Sequence, residues 1–355
     1  MRRFLRFRLR TMLIVMTLTA LAAWLAFNYR RASLQRTAVA RLESAGARVG
    51  YDYQFDHEGG FQFNPDPPGP DWVRDLLGID YFAQPVEVYG GWQITDDELA
   101  PITALGKVRR LQLNSPGVTD DGLRHVGRLP RLRSLGLGNT HVTGRGLVHL
   151  VGLPELEHLA LPWTNLDREA IEHLAQMPQL ASLDVRSTPF GDEDLRRLER
   201  LERLQSLYLS STNVTDAGLR HLREHPLLRE LELADTQITD AGATQIAGLQ
   251  NLERLDLTGS KMTDAGIAEL RRMPRLRELS LGDVRVTAEG VAALRELPRL
   301  QWLEIDADAV DEPMLVSLKQ LAGLKKLSIW GGEIADEKVW REMHGLKQFQ
   351  VVDPR

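Results

Sequence analysis

A fixed period of 24 residues constrains this chain more than any other feature of the sequence. The unit LQSLYLSSTNVTDAGLRHL, residues 204–222, returns at one spacing, and positions are counted here as offsets from the first residue of a unit. Apolar residues occupy 62 of 63 expected positions in nine consecutive units, and the exception is His225. This period predicts a solenoid, because one unit cannot bury its own apolar face and must stack on neighbours. The units start at Val108, Leu132, Leu156, Leu180, Leu204, Leu228, Leu252, Leu276, Leu300 and Leu324.

Two periodicities alternate inside each unit. Leu207 and Leu209 alternate with polar neighbours, which predicts a short strand with one buried face. Leu219 and Leu222 have the spacing of one helix face. Threonine recurs at offset 11, where it suits a helix N-cap, and aspartate often follows at offset 12, where a carboxylate suits the helix dipole. The threonines are Thr119, Thr143, Thr215, Thr239, Thr263 and Thr287.

Two further columns of small residues follow the same period. A hydroxyl column at offset 8 predicts a buried ladder that satisfies loop backbone groups, and it comprises Thr140, Thr164, Thr188, Thr212, Thr236 and Ser260. A glycine column at offset 14 predicts close packing between helices rather than a nucleotide-binding loop. Its members are Gly122, Gly146, Gly218, Gly242, Gly266 and Gly290.

The pattern L-x-x-L-x-L-x-x-T-x-V-T-D-x-G-L-x-x-L resembles a leucine-rich repeat (LRR). It is similar to the subclass of F-box-type LRR proteins, in which cysteine often holds the column that is Thr or Ser here. The resemblance covers roughly Val86 to Val351. It implies an α/β fold, a horseshoe-shaped leucine-rich-repeat solenoid with a concave parallel β-sheet and convex helices. It implies no particular chemistry.

The N-terminus reads as a membrane segment. Residues 1–10 are a basic flank, and residues 11–28 are an uncharged apolar run, which predicts a transmembrane helix acting as a signal anchor. The residues predicted to contact the membrane are Leu13, Ile14, Val15 and Trp24. A cleaved signal peptide is the alternative, since the stretch Ala20 to Ala22 resembles a cleavage site. Arginines flank both ends of the run, and we expect the N-terminus in the cytoplasm and the repeats outside it.

Residues 29–80 are predicted to join the membrane segment to the repeat domain, residues 81–355. A helix is expected over residues 32–45, followed by a hairpin in which Tyr51, Tyr53 and Phe55 face Phe61 and Phe63. A short helix over residues 72–77, capped by Asp71, is expected to cover the repeat core. The stretch as a whole, with its leader and its GYDYQF and PPGPDW segments, also resembles a bacterial family of membrane-anchored LRR proteins.

Charge and composition argue against several functions. After residue 43 the chain has 35 Lys and Arg against 48 Asp and Glu, a net charge of −13, so nucleic-acid binding by the repeats is disfavoured. There is no cysteine, which excludes disulfides and thiolate metal sites. No nucleophile elbow, phosphate loop or HExxH motif is present. We therefore predict no catalytic residue, no cofactor and no metal. The histidines at offset 17 are expected as a row on the convex surface.

The exposed face of the sheet is the most informative surface. Side chains at offsets 2, 4 and 6 point away from the buried leucines, and equal offsets lie about 4.8 Å apart on adjacent strands. The offset-2 column alternates in sign and is expected to neutralise itself. The offset-4 column is acidic, and aromatic residues are expected to lie beside it. The predicted partner-binding residues are Asp184, Arg186, Tyr208, Glu230, Glu232, Arg254, Asp256, Glu278, Trp302, Glu304, Asp306 and Trp330.

These features predict a membrane-tethered, non-catalytic recognition or scaffold module. Its partner is expected to be a basic protein or peptide bound on the concave face, because aromatic and desolvated charged residues anchor interfaces. A glycan ligand remains open. The alternative from the F-box resemblance is a substrate receptor of a ubiquitin ligase. That role needs an F-box of helices before the repeats, where this chain has an apolar span, one helix and a hairpin.

Overall fold

The repeats build one continuous sheet in sequence order. The computed structural model describes residues 2–55, 60, 62, 65–306, 310–330 and 350–352. Among these residues the sheet runs from β1 to β13, antiparallel between β1 and β2 and parallel thereafter. The strands are β1 Arg48–Tyr51, β2 Pro85–Tyr89, β3 Arg110–Gln112, β4 Ser134–Gly136, β5 His158–Ala160, β6 Ser182–Asp184, β7 Ser206–Tyr208, β8 Glu230–Glu232, β9 Arg254–Asp256, β10 Glu278–Leu281, β11 Trp302–Asp306, β12 Lys326–Trp330 and β13 Gln350–Val352.

Short helices return the chain from each strand to the next. The unit at Leu204 departs from the others, because its helix is a 3₁₀ helix, Leu219–Glu224, rather than an α-helix. The predicted strand, loop and helix order is otherwise confirmed. The α-helices are α1 Arg2–Ser44, α2 Asp71–Leu77, α3 Asp96–Leu99, α4 Asp120–Val126, α5 Gly144–Leu147, α6 Arg168–Leu174, α7 Asp192–Arg197, α8 Asp240–Ala247, α9 Asp264–Glu269, α10 Ala288–Ala293 and α11 Glu312–Lys319.

The leucine columns form one core along the sheet. From β3 onward, residues exactly one period apart pair across neighbouring strands, for example Leu207 with Leu231. Both leucines are buried, and the core cluster continues from α1 to Ile329. The predicted leucine-rich-repeat solenoid with a parallel sheet is therefore confirmed. His225 occupies its core position as a buried side chain, and its Nδ1 lies 3.1 Å from the Leu201 carbonyl oxygen.

A bridge between units explains the T-D-x-G pattern. The Asp216 Oδ1 accepts the backbone N–H of Thr239 in the next unit at 2.9 Å, and Oδ2 accepts the Thr239 hydroxyl at 2.6 Å. A Cβ on Gly242 would lie 2.4 Å from the same Oδ1. Aspartate, threonine and glycine thus form one three-residue clamp across the junction. The same bridge joins Asp96 to Thr119, Asp120 to Thr143, Asp192 to Thr215, Asp240 to Thr263 and Asp264 to Thr287.

The hydroxyl column is buried as predicted, but it acts within each unit. The Thr212 hydroxyl donates to the Leu209 carbonyl oxygen at 2.6 Å, and Thr140, Thr164, Thr188 and Thr236 each repeat that bond to the carbonyl oxygen three residues before them. Because offset 7 adopts a left-handed backbone in these units, the turn leaves that carbonyl inside the loop. The five threonines of the column therefore satisfy buried backbone oxygens one unit at a time, whereas the buried Ser260 hydroxyl has no partner among the described residues.

The N-terminal region differs from its prediction in two ways. Helix α1 continues unbroken from Arg2 to Ser44, so the expected juxtamembrane helix is its last part. The predicted hairpin is corrected in its first strand, which ends at Tyr51, but its two arms do meet, since the Gln62 N–H donates to the Gln54 carbonyl oxygen at 2.9 Å. Asp52 stops that strand, since its carboxylate accepts the backbone N–H groups of Tyr53 and Gln84, and β1 pairs with β2. Phe61, Phe63 and the intervening turn at residues 56–59 lie outside the described residues.

Helix α2 forms where it was expected but does not cover the core. It begins at Asp71 with Pro70 as its N-cap residue, and Asp71 makes no capping bond. Trp72 is 72% exposed and Leu76 is 71% exposed. The prediction that this helix shields the first repeat is therefore wrong for its two largest apolar side chains.

Candidate functional site

The sheet register brings the predicted offset-4 residues together on the exposed face. Glu232 of β8 pairs in register with Asp256 of β9, which pairs with Ser280 of β10, which in turn pairs with Glu304 of β11. We call the three carboxylates Glu232, Asp256 and Glu304 the acidic row. Each is half-buried in the sheet face. The spacing predicted for like-charged neighbours is thus present in the fold.

Arg186 ties one end of the acidic row to the strands before it. Its guanidinium donates to both oxygens of Asp184, at 3.0 and 2.7 Å, and to Glu232 at 3.3 Å. It also lies 5.3 Å from the ring centroid of Tyr208, a cation–π distance. Asp184 is buried and fully engaged by this arginine. Asp184 and Arg186 therefore support the site more than they present free charge to a partner.

The offset-2 column is self-neutralising where Glu230 meets Arg254. The Arg254 guanidinium donates to both Glu230 oxygens, at 3.0 and 2.7 Å, and the Tyr208 hydroxyl donates to Glu230 at 2.9 Å. Burial acts to raise the pKa of Glu230, but the hydrogen bonds from Arg254 and Tyr208 outweigh it and lower that pKa. Burial and the neighbouring Glu230 raise the pKa of Tyr208 to about 12. These groups form a fixed, charge-balanced floor.

The acidic row keeps carboxylates that the floor does not neutralise. Burial, followed by repulsion from Asp256, raises the pKa of Glu304. Burial also raises the pKa of Glu232, and Asp256 adds to the effect although Arg186 opposes it. Asp256 accepts the Thr258 backbone N–H at 2.9 Å. Within the described part of the chain, no ion pair involves Asp256 or Glu304. The row therefore offers negative charge to an outside cation.

Aromatic groups border the C-terminal end of the row. The Trp302 indole N–H donates to the Ser328 hydroxyl at 2.9 Å, and the Lys326 ammonium lies 5.8 Å from the Trp302 ring centroid. Trp302 and Glu278 pair in register on β11 and β10. Asp306 pairs with Trp330 of β12, whose side chain lies outside the described residues. Trp302 is thus held by its polar edge with its ring half-exposed.

A second surface, absent from the sequence prediction, lies at the N-terminal half of the sheet. A groove of about 610 Å³ has a floor of Gly136, Gly138 and Ala160, and Trp92 and Trp163 stand beside it. The two tryptophans are 71% and 66% exposed. Trp163 also has a left-handed backbone, φ 55°, at the offset where other units carry Asn, Ser, Asp or Gly. A tryptophan at this turn position is the feature of the sequence that could have predicted the second surface.

The histidines and carboxylates of the described residues are dispersed over the solenoid. No group of three or more His, Asp or Glu side chains suited to a metal ion occurs among them. Two of the four offset-17 histidines make separate local bonds: His173 Nδ1 lies 2.9 Å from the Gly144 carbonyl oxygen, and His221 Nδ1 lies 2.5 Å from a Glu199 oxygen. These two rings are thus held by different neighbours in the solenoid.

The apolar part of helix α1 is not buried against the solenoid. The segment Leu9–Ser44 is long and apolar enough to span a membrane, with a mean hydropathy of 1.7 in a window of which none is buried. Leu13, Ile14, Val15 and Trp24, the residues chosen as membrane contacts, are all exposed. The same segment also meets the length and composition of a signal sequence, because it lies at the N-terminus.

Comparison with known proteins finds a repeat family and similar solved structures. A leucine-rich repeat family model matches residues 226–286. An internalin (inlF) from Listeria monocytogenes has 19% sequence identity and a TM-score of 0.48, covering 74% of this chain and 89% of its own. Internalin C2 (inlC2) of the same organism has 23% identity and a TM-score of 0.44, covering 67% of this chain and 84% of its own. No curated protein sequence matches the chain.

Proposed function

We propose that this leucine-rich repeat protein is a membrane-tethered, non-catalytic recognition or scaffold module. Its partner is a basic protein or peptide that binds the concave face between β6 and β12. Repeat folds of this kind leave an extended sheet face on which one side chain per unit meets a partner. The proposal selects the part of that face where charge and aromatic side chains converge.

The acidic row is the observation that carries the proposal. Like charges opposite each other on adjacent strands destabilise a sheet, so Glu232 beside Asp256 costs folding free energy. A cationic group from a partner would offset that cost and gain charge-assisted hydrogen bonds. Trp302 supplies the partly exposed aromatic surface that often anchors an interface. Arg186, Tyr208, Glu230 and Arg254 hold the floor in place.

Helix α1 supports the tether. The apolar run precedes a segment of the same helix that packs into the solenoid core through Ala38 and Leu42. Five arginines precede the run, and we place the N-terminus in the cytoplasm with the repeats on the other side of the membrane. The protein is then single-pass, and the solenoid is held at the membrane surface.

Charge reversal in the acidic row tests the proposed interface. Full-length protein in nanodiscs is immobilised and exposed to extract of its own cells, and captured proteins are identified by mass spectrometry. Glu232→Lys with Asp256→Lys is expected to abolish capture of a specific partner. The matched control, Asp121→Lys with Glu172→Lys, makes the same charge change at exposed positions of α4 and α6 and should retain it.

A neutral pair of substitutions separates charge from folding. Glu232→Gln with Asp256→Asn keeps the side-chain shapes and relieves the repulsion between them, so the solenoid should remain folded while capture weakens. Capture of the same partners at the same levels by all these variants contradicts the concave assignment.

The ubiquitin-ligase alternative gains no support from the described residues before the repeats. They form the long helix α1, strand β1, helix α2 and short 3₁₀ turns, not a compact group of helices. Co-purification of a Skp1-like adaptor with the full chain is the result that would favour this role over the proposed one.

A further inference from the structure

Helix α1 carries the membrane span into the solenoid without a linker. Residues 11–30 rise about 30 Å in a helix, which is the thickness of a bilayer hydrocarbon core, so we place the edge of the core near Arg30. Ala32 is already 1% exposed, although it lies only about 3 Å farther along the helix axis. The N-terminal end of the solenoid therefore packs on α1 inside the headgroup layer.

Helix α2 is fixed to this part of α1. The Arg36 guanidinium donates to the Leu77 carbonyl oxygen at the end of α2, and its Nε lies 3.8 Å from an Asp80 oxygen. Residues 79–81, which follow α2, pack directly on α1. Arg36 lies about 9 Å beyond Arg30 along the helix axis, at the outer rim of the headgroup layer. Helix α2 is therefore held beside the membrane surface.

The apolar side chains of α2 have no covering in the described structure. Trp72 and Leu76 are one helical turn apart, so they share a face, and both are more than 70% exposed. Val73 and Leu77 are half-buried. Leu34 of α1, 55% exposed, adds an apolar side chain close to the span. Scattered apolar residues are ordinary on a surface, but a tryptophan paired with a leucine beside a membrane span is typical of an interfacial contact.

We infer that Trp72 and Leu76 form a lipid-contacting patch through which α2 rests in the headgroup layer of the bilayer that α1 spans. This inference rests on the proposed tether and adds a second contact between protein and membrane. The exposed arginines Arg30 and Arg36 on α1 lie on either side of this layer and favour anionic headgroups. Asp71 and Asp75 of α2 do not, so apolar insertion supplies the contact of α2. The patch fixes how the solenoid stands on the membrane.

The absence of cysteine from the chain makes the test direct. Full-length Trp72→Cys and Leu76→Cys variants are labelled with an environment-sensitive fluorophore and reconstituted into vesicles that contain nitroxide-headgroup lipids. Leu25→Cys, inside the span, is the control for the anchor. Trp163→Cys, at an exposed tryptophan of the solenoid, is the control for a water-facing site. All four native side chains are exposed, so these variants should fold.

Labels at positions 72 and 76 are expected to shift to shorter emission wavelength, to lose fluorescence in nitroxide vesicles and to resist soluble iodide. The label at position 163 should behave in the opposite way. Iodide quenching at 72 and 76 equal to that at 163, with position 25 still protected, overturns the patch and leaves the tether intact. If position 25 is also open to iodide, the tether fails and the patch with it. Protection that depends on protein density instead of lipid assigns the patch to a second copy of the chain and overturns the inference.

Discussion

Strands β3–β5 and strands β6–β11 have the same register and the same buried leucine columns, but they present different faces to solvent. The first group has a floor of glycine and alanine, with Trp92 and Trp163 beside it. The second has the acidic row and a network of paired arginines. The shared backbone therefore sets the positions of the side chains, and the residues at the exposed offsets determine the charge and shape of each surface.

The two regions also differ in how their units are joined. The Asp–Thr clamp joins the unit of β3 to that of β4 and joins the units from β6 to β10, but Gly144, Arg168 and Ala288 replace its aspartate at the β4–β5, β5–β6 and β10–β11 junctions. The leucine core continues across these gaps. Stacking of apolar columns therefore suffices to hold two units together, and the clamp adds to that stability.

The largest expected effect tests whether the two regions share one scaffold. Leu159 and Leu207 hold the same offset, one in each region, and both are buried. Replacing either by alanine should cost about 2–5 kcal/mol, through lost burial and the cavity that remains. Urea unfolding of the detergent-solubilised full chain measures the loss. A core that tolerates one substitution and not the other shows that the two regions are not equivalent.

The clamp gives the next largest effect. Gly242→Ala places a Cβ against the pinned Asp216 carboxylate and should cost about 2 kcal/mol by breaking its charge-assisted hydrogen bonds. Gly152→Ala is the matched control at a glycine outside the clamp, because a Cβ there meets nothing within 4 Å. Its expected effect is within about 0.5 kcal/mol. Equal losses in the same unfolding measurement contradict the clamp.

Acid should weaken the C-terminal region through His225. Burial lowers the pKa of this imidazole, so below its ordinary value of 6.5 the unfolded chain binds the proton more readily than the folded chain. Stability is then complete above pH 6.5 and falls as pH drops, by up to about 1.4 kcal/mol per pH unit until the folded pKa is reached. His225→Leu restores the apolar column and should remove this dependence. Unfolding midpoints between pH 5 and 7 provide the test, and parallel profiles for both proteins rule out His225 as the cause.

The smallest effect concerns the N-terminal groove. Trp163→Ser places at this offset the residue found in the units at Leu180 and Leu204, and it removes an exposed side chain from a left-handed backbone. Stability should change by less than about 0.5 kcal/mol, because no packing is lost. Thermal unfolding measures it. A clear destabilisation would give Trp163 a structural role and remove the groove as a candidate binding surface.

The repeated features of the fold could be predicted because each of them occurs at the same offset in many units. Leu207, its buried strand and its helix follow from spacing alone. The clamp was not foreseen, since Asp216 meets Thr239 in another unit, although both columns were visible. Features that occur once were hardest to predict. The pairing of β1 with β2 depends on contacts between distant segments, which no local pattern encodes.

The candidate site was predictable in its register and not in its energetics. Offsets placed Glu232 beside Asp256, because one residue per unit occupies each position. The alternating signs of the offset-2 column also predicted the pairing of Arg254 with Glu230. The sequence could not show that Arg186 binds Asp184, or that Tyr208 also binds Glu230, since these contacts depend on side-chain conformation. Our proposal therefore places the partner on the acidic row and its aromatic border.

Site-specific photo-crosslinking in intact cells tests the central proposal most directly. A photoreactive amino acid replaces Glu278, between the acidic row and Trp302, or Glu172 on the convex helix α6. We expect one partner adduct from position 278 and none from position 172. The adduct from position 278 should be lost when Glu232 and Asp256 are changed to lysine. An adduct with the same partner from position 172 alone would contradict the proposal.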